Sequence, residues 1–498
     1  MTISATGQPT ATRRARRNDR LPAPPPPPDV LAGPERPIPE PQDAASDAPA
    51  WDADIRRGYL PPRRGFLAKR GFYAPTAPGA PSTTRQAEIL NTAVIAAPTD
   101  DEGILVGRDT LSRTPVAHDP ITAYNKRIVD SPNVVCMGDV GSGKSSLLKT
   151  VYVARPLLLK GRRVCVIDKK AQGEESEYAR LCREMGYDTI RLRIGSDSEG
   201  STLNMLDPLL LGGDKGGGRY ATLRTVAELS QSGKELTSWE GKALRMAYRY
   251  GIRTAERAGR VPVIPDVIEF LGNVDIDEFK DLAPHAKRKM NEAGLTVKFL
   301  LDKLVSDELE GLFDRETSKD VRLDGKLTVF DISRLPESGP ALTISMMLIN
   351  VWLLGIMKKH PGWQTNCVVE EGWHLVGGPS GKVIQSNAKL ARAHGLSNIV
   401  SLHHVSDIPK KDPAIAFIKE AQTVHLYRQG LNDDARMCER LFSLKPGTAK
   451  QLQGLPNGRQ YLKIGTRPEM LVEHTRSRWE VAMTDTNEAL DTQRHQNS

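Results

Sequence analysis

Residues 138–146, GDVGSGKSS, bring together glycines, a lysine and hydroxyls at a spacing that suits a polyphosphate. The pattern G-x-x-x-x-G-K-[ST] is filled by Gly138, Gly143, Lys144 and Ser145. A loop of this kind turns its backbone N–H groups inward around a triphosphate. Asp139, Val140, Gly141 and Ser142 form its middle and Ser146 follows it. Lys144 is placed to meet the β- and γ-phosphates, and the Ser145 hydroxyl to ligand Mg²⁺.

A phosphate loop needs acidic partners. CVVEEGW supplies two, Glu370 and Glu371, at the end of an apolar run. In phosphate-loop enzymes the first acid holds Mg²⁺ through water and the second activates the attacking water by general-base action. An added catalytic glutamate points to the RecA-like side of these enzymes. It argues against small GTPases, which orient water with glutamine. No guanine-reading NKxD-type motif stands out late in the chain, which favours ATP over GTP.

These groups need elements to position them. NVVCM reads as a strand entering the loop, and SSLLKTVYVARPLLL as a helix leaving it, with phosphate at the helix N-terminus. GILVGRDTLSRTPVAHDP predicts short strands and turns before the loop. RRVCVIDKKAQGEESEYARLCREMGY predicts a strand, a polar loop and a helix, and TIRLRI a further strand. Alternating strands and helices imply a parallel sheet covered on both faces. Between about 214 and 318 the periodicity is helical throughout, with Pro265 suited to a first helical turn. KLTVFDIS, residues 326–333, resumes the sheet. It is followed by an apolar helix over 341–357, the strand NCVVEEGW, the helix IQSNAKLARAHG and the strand SNIVSLHH. The expected fold is therefore α/β: a RecA-like core over 90–213 and 319–490, with an all-helical insertion over 214–318.

Residues 1–85 read differently. LPAPPPPPDV and PERPIPEPQDAASDAPA cannot bury enough apolar surface to offset their ordering entropy, so a disordered, Pro- and Arg-rich arm is expected. The polar, arginine-rich start is unlike a signal peptide. The stretch ALTISMMLINVWLLGIM is short for a membrane span and carries Thr343, Ser345 and Asn350, so a buried helix is expected there. The formal net charge of +8 owes part of its excess to TRRARRNDR near the N-terminus, so affinity for nucleic acid or anionic membrane is permitted but not required. Five scattered cysteines form no C-x-x-C pair. Neither a zinc site nor a disulfide framework is indicated, and buried thiols are the reading for Cys136, Cys165 and Cys367.

Taken in order, several segments resemble one family: the large ATPase of type IV secretion and conjugation machines (the VirB-four, TraC or TrsE kind), within the HerA/FtsK superfamily. The resemblance spans about residues 100–490. GDVGSGKSSLLK resembles the family's phosphate loop, and VIDKKAQGEESEYARL its second-strand pattern. STLNMLDPL is similar to its N-P-x-D-P turn, with Met205 in place of the usual proline. LEGLFDRETSKDV, VVEEGWHL and RPEMLVEHTRSRWEVAMTDTNEA resemble its later segments. The resemblance implies a hexameric motor using ATP and Mg²⁺. It implies a cytoplasmic place at the inner face of the cell membrane, membrane subunits of a secretion apparatus as partners, and DNA as a further possible partner.

The departures are specific. Glu370 stands where the family usually has aspartate. SLHHVSD puts His403 or His404 where the family often has a polar TQ sensor, and a histidine there can still hydrogen-bond a γ-phosphate. The family's N-terminal membrane-facing domain is expected to be absent or much reduced, with basic, Pro-rich chain preceding the motor instead. Hexameric motors of this kind present an arginine from the neighbouring subunit to the γ-phosphate, and Arg392 and Arg428 are the candidates. Two other readings share this core: a soluble HerA/FtsK-like DNA translocase, and a nucleotide-dependent assembly scaffold with little turnover.

Overall fold

The structure is a computed structural model. It describes residues 103–195, 199–208, 217–273, 283–306, 309–323, 325–337, 339–370, 372, 394–404 and 418–484. The predicted arm over 1–85, the predicted helix IQSNAKLARAHG up to residue 393, Glu371 and Arg392 lie outside the described residues.

Among the described residues thirteen strands are formed: β1 (Leu105–Asp109), β2 (Pro115–Ala117), β3 (Val134–Met137), β4 (Arg162–Asp168), β5 (Ala171–Gln172), β6 (Glu175–Ser176), β7 (Thr189–Arg191), β8 (Leu327–Asp331), β9 (Gln364–Val369), β10 (Leu396–Leu402), β11 (Thr423–Leu426), β12 (Arg459–Ile464) and β13 (Met470–His474). Eleven of them make one sheet in the order β2-β1-β13-β12-β11-β3-β10-β9-β4-β8-β7. From β11 to β7 every pairing is parallel. From β11 to β2 every pairing is antiparallel. The expected parallel sheet therefore carries an antiparallel extension built from both ends of the described chain. β5 and β6 form a small separate hairpin inside the segment expected to be a plain polar loop.

The central strands explain themselves. β3, VVCM, is buried along its length, as is β8, LTVFD. Strands covered on both faces lose the alternation of a half-exposed sheet and become continuous apolar runs. The helix Ala341–Lys359 is the described helix long and apolar enough to cross a membrane by composition, yet 89 % of its most apolar stretch is buried inside the fold. Its Trp352 meets Phe330 of β8 edge-on, with ring centroids 5.5 Å apart. Such contacts add to plain burial.

Between β7 and β8 the described residues form helices only: Gly217–Ser230, Ser238–Arg257, Ile264–Ile268 and Pro284–Val305. The second starts at a capping box. Thr237 Oγ1 accepts from the Glu240 amide at 3.3 Å, and Glu240 Oε2 accepts from the Thr237 amide at 2.8 Å. At Gly251 this helix approaches the next so closely that an added Cβ would lie 2.6 Å from the Asp266 carbonyl oxygen. Pro265 lies in the first turn of Ile264–Ile268, where its missing N–H costs nothing. Buried residues of these helices, among them Leu223, Leu244 and Val297, join one apolar core with Val135 and Phe330 of the sheet.

Register is what builds the site. Leu402 of β10 and Leu426 of β11 both pair with Met137 of β3. Ile167 of β4 pairs with Val369 of β9. The carboxyl ends of five adjacent parallel strands thus end level. Gly138, His403, Tyr427 and Glu370 each follow one of them, and Asp168 is the last residue of β4. Open α/β sheets bind ligands at this edge.

Candidate functional site

The phosphate loop leaves β3 at Gly138. Its φ of +155° and its contact with Tyr427, whose Cβ would lie 2.5 Å from an added Cβ, demand glycine. Gly143, at φ +112°, leads into the helix Lys144–Leu147. That helix runs on into a wider π-type stretch, Leu148–Ala154, where every residue is buried. The sequence pattern predicts a helix here but not the change of pitch.

Later parts of the chain brace the loop. Asp139 donates its amide to the Arg428 carbonyl at 2.9 Å. Its carboxylate accepts from the Gly430 amide at 3.0 Å and from Arg428 Nε at 3.3 Å. The Gly458 amide donates to the Ser142 carbonyl at 3.0 Å. Ser142 Oγ donates to the Asp139 carbonyl at 2.7 Å. Val140 stands at the exposed tip.

Lys144 is buried, and its ammonium donates to the carbonyl oxygens of Gly138 and, at 2.8 Å, Asp139. Burial lowers its pKa, and the nearby Lys170 charge adds to the effect. His403 Nδ1 lies 3.5 Å from Lys144 Nζ. Burial, with the charges of Lys144 and Lys170, pushes the His403 pKa below the usual imidazole value. The ring is therefore neutral at pH 7, able to donate from one nitrogen and accept at the other.

Glu370 is fully buried directly after β9. Its Oε1 accepts from the Tyr178 hydroxyl at 2.8 Å, and its Oε2 lies 3.4 Å from Lys170 Nζ. Lys170 Nζ also donates to Ser145 Oγ at 3.1 Å. Ser145 and Glu370, the two groups expected to hold Mg²⁺, thus already converge on one positive charge. A hydroxyl and a carboxylate oxygen are suitable donors for Mg²⁺, which takes few protein ligands and completes its shell with phosphates and water. Behind them, Lys149 Nζ pairs with Glu177 Oε1 at 3.0 Å, both buried, and lies 5.2 Å from the Tyr178 ring centre.

Asp168 organises the segment that carries these partners. Its Oδ1 accepts from the Lys170 amide at 3.1 Å and its Oδ2 from the Tyr178 amide at 2.8 Å. Burial, then the neighbouring Glu177 charge, raises its pKa well above the usual carboxylate range.

The structure brings Gly138 to Ser146, Glu370, His403 and Arg428 to one edge of the sheet. Arg428, expected as a candidate for reaching a neighbouring subunit, is paired with Asp139 of its own loop. His404 turns instead toward Asp434, with Nδ1 3.2 Å from Oδ2. Lys170, Tyr178, Lys149 and Glu177 were not singled out as site residues by sequence reasoning. The signal available was the segment VIDKKAQGEESEYARL itself, in which all but Lys149 lie.

No protein-family profile and no curated protein matches the chain. Solved structures do. That of VirB4 of Thermoanaerobacter pseudethanolicus matches with a TM-score of 0.63 at 20 % identity, covering 78 % of this chain and 100 % of that one. The bacterial conjugative coupling protein TrwBΔN70, in its unbound monoclinic form, matches at 0.51 and 14 % identity, covering 76 % of this chain and 90 % of that one. The plasmid coupling protein TrwB in complex with ADP and Mg²⁺ matches at 0.50 and 15 % identity, covering 76 % and 91 %. The fold shared with these structures is the RecA-like α/β fold of the P-loop NTPases.

Proposed function

We propose that the chain is an ATP-hydrolysing motor of the conjugative or type IV secretion kind, powering transfer of DNA or protein across a bacterial envelope. The observation that carries this reading is the convergence of Ser145 and Glu370 on one cation, beside Lys144 and the phosphate loop. The fold likeness to VirB4 supports the cellular setting.

In this reading the backbone N–H groups of residues 138–146 and the Lys144 ammonium hold the phosphates. Ser145 and Glu370 hold Mg²⁺, which when bound neutralises charge on the phosphate oxygens. Glu371, the residue after Glu370, takes a proton from the attacking water. His403, neutral and close to Lys144, hydrogen-bonds the γ-phosphate. An arginine from a neighbouring subunit, Arg392 or Arg428, stabilises the transferring group in a hexamer. For Arg428 this requires release from Asp139. The motor comprises 90–213 and 319–490, with the helical insertion 214–318, and 1–85 is an arm. It works at the inner face of the cell membrane with membrane subunits as partners.

A second reading, a DNA-translocating motor, is favoured by the likeness to the coupling protein TrwB. Steady-state ATPase of wild type beside Glu371→Gln, with and without single- and double-stranded DNA, tests both. Turnover that falls by around 10²-fold in Glu371→Gln is expected. Strong stimulation by DNA favours the translocase, and indifference to DNA the secretion motor. Wild-type turnover in Glu371→Gln moves the base elsewhere. Nucleotide binding without turnover favours a scaffold.

A further inference from the structure

Lys170 occupies a telling position. Its ammonium is 3.1 Å from Ser145 Oγ and 3.4 Å from Glu370 Oε2, the two atoms that the hydrolysis reading assigns to Mg²⁺. A further neighbour, Glu177 Oε2, is 3.9 Å away, and Glu177 is already paired with Lys149. The Lys170 side chain is 27 % exposed while that of Glu370 is 0 % exposed, so Lys170 lies on the solvent side of the pair. The Lys170 backbone is pinned by Asp168. A flexible four-carbon stem on a fixed backbone can swing without moving the fold. A second lysine, Lys144, shares the cleft, and each charge disfavours the other until an anion arrives.

We propose that Lys170 is a stand-in cation. In the nucleotide-free protein its ammonium bridges Ser145 and Glu370, and a divalent metal entering with nucleotide displaces it. Lys170 therefore sets the metal concentration at which the site loads. It also lends charge to a nucleotide bound without metal. This rests on the nucleotide-hydrolysis reading and deepens it.

Binding of a fluorescent ADP analogue to the full-length protein, in chelator and across a Mg²⁺ titration, is the test. Lys170→Met keeps the stem and removes the charge. It is expected to reach half of its metal-dependent binding at roughly tenfold less Mg²⁺ than wild type, while binding metal-free nucleotide more weakly. An unchanged or higher Mg²⁺ requirement in folded Lys170→Met overturns the proposal. A second readout uses wild type alone: acetylation of each lysine, followed by mass spectrometry, with and without Mg²⁺ and ADP. Lys170 is expected to gain reactivity on loading while Lys144 loses it. Protection of both overturns the displacement. If wild type binds no nucleotide with or without Mg²⁺, the hydrolysis reading itself fails and this proposal with it.

Discussion

The phenol of Tyr178 donates a 2.8 Å hydrogen bond to Oε1 of Glu370, so the acid after β9 is aimed by a side chain 192 positions earlier in the chain. The bond is buried at both ends. Tyr178→Phe removes the donor and leaves a buried carboxylate oxygen without it. A loss of about 1–3 kcal/mol is expected, read as a lower denaturant midpoint at unchanged slope. The same variant should lower turnover, since Glu370 is no longer fixed. Wild-type stability and turnover together would show that Glu370 needs no aim.

Lys144→Ala should weaken ATP binding by about ten- to a hundredfold, because the phosphates lose a charge-assisted donor. Titration of a fluorescent nucleotide checks this. Undiminished affinity would move the phosphates away from the loop.

Acid should destabilise the fold through its buried histidines. His425 Nδ1 donates to Gln460 Oε1, 2.8 Å away, and its other ring nitrogen bonds the Tyr152 hydroxyl. Burial, with the nearby His118 charge, pushes its pKa from 6.5 down to about 3. His474, bonded to Thr150 Oγ1 at 2.9 Å, is lowered too, first by burial. In the unfolded chain each protonates near its ordinary value, so the unfolded state binds the extra proton first. The stability of the neutral rings is thus full above about pH 6.5 and is lost as pH falls toward about 3 for His425. By pH 5 the neutral His425 ring costs about 2 kcal/mol, and His474 adds to the loss in the same direction. Melting curves at pH 7.5 and 5.0 should show the drop, and His425→Gln should flatten it. A melting temperature indifferent to pH over this range would mean the rings titrate freely.

The thiols should be inert in the folded protein. All five cysteines are buried and free. Burial pushes Cys136 up to about 12, which removes the reactive thiolate at neutral pH. Alkylation by iodoacetamide should proceed only in denaturant. Rapid labelling of Cys136 in the native state would place it at a solvent path.

What the sequence made legible was local. The loop, the strand before it and the acid after β9 each sit in one contiguous stretch, and the proposed chemistry is read from the types and spacing of their residues. The helix Ala341–Lys359 was legible as buried because Asn350 and two hydroxyl side chains interrupt a run that is otherwise apolar. Lys170 and Tyr178 were not legible as site residues. Their role depends on β4 pairing with β9 so that Ile167 meets Val369, and a register between distant strands leaves no mark on either strand alone. The hairpin of β5 and β6 was missed because two-residue strands are too short for alternation to show. The π-type pitch of Leu148–Ala154 was missed because a stretch buried all round has no polar face to report its period.

Asp168 spends one carboxylate oxygen on the Lys170 amide and the other on the Tyr178 amide. Both side chains that meet Glu370 therefore hang from one buried acid. In genetic terms, positions 168, 178 and 370 behave as a single locus. A screen of single substitutions should find each one intolerant, and pairs among them should be little worse than the worst member, since the first loss already disorders the shared unit.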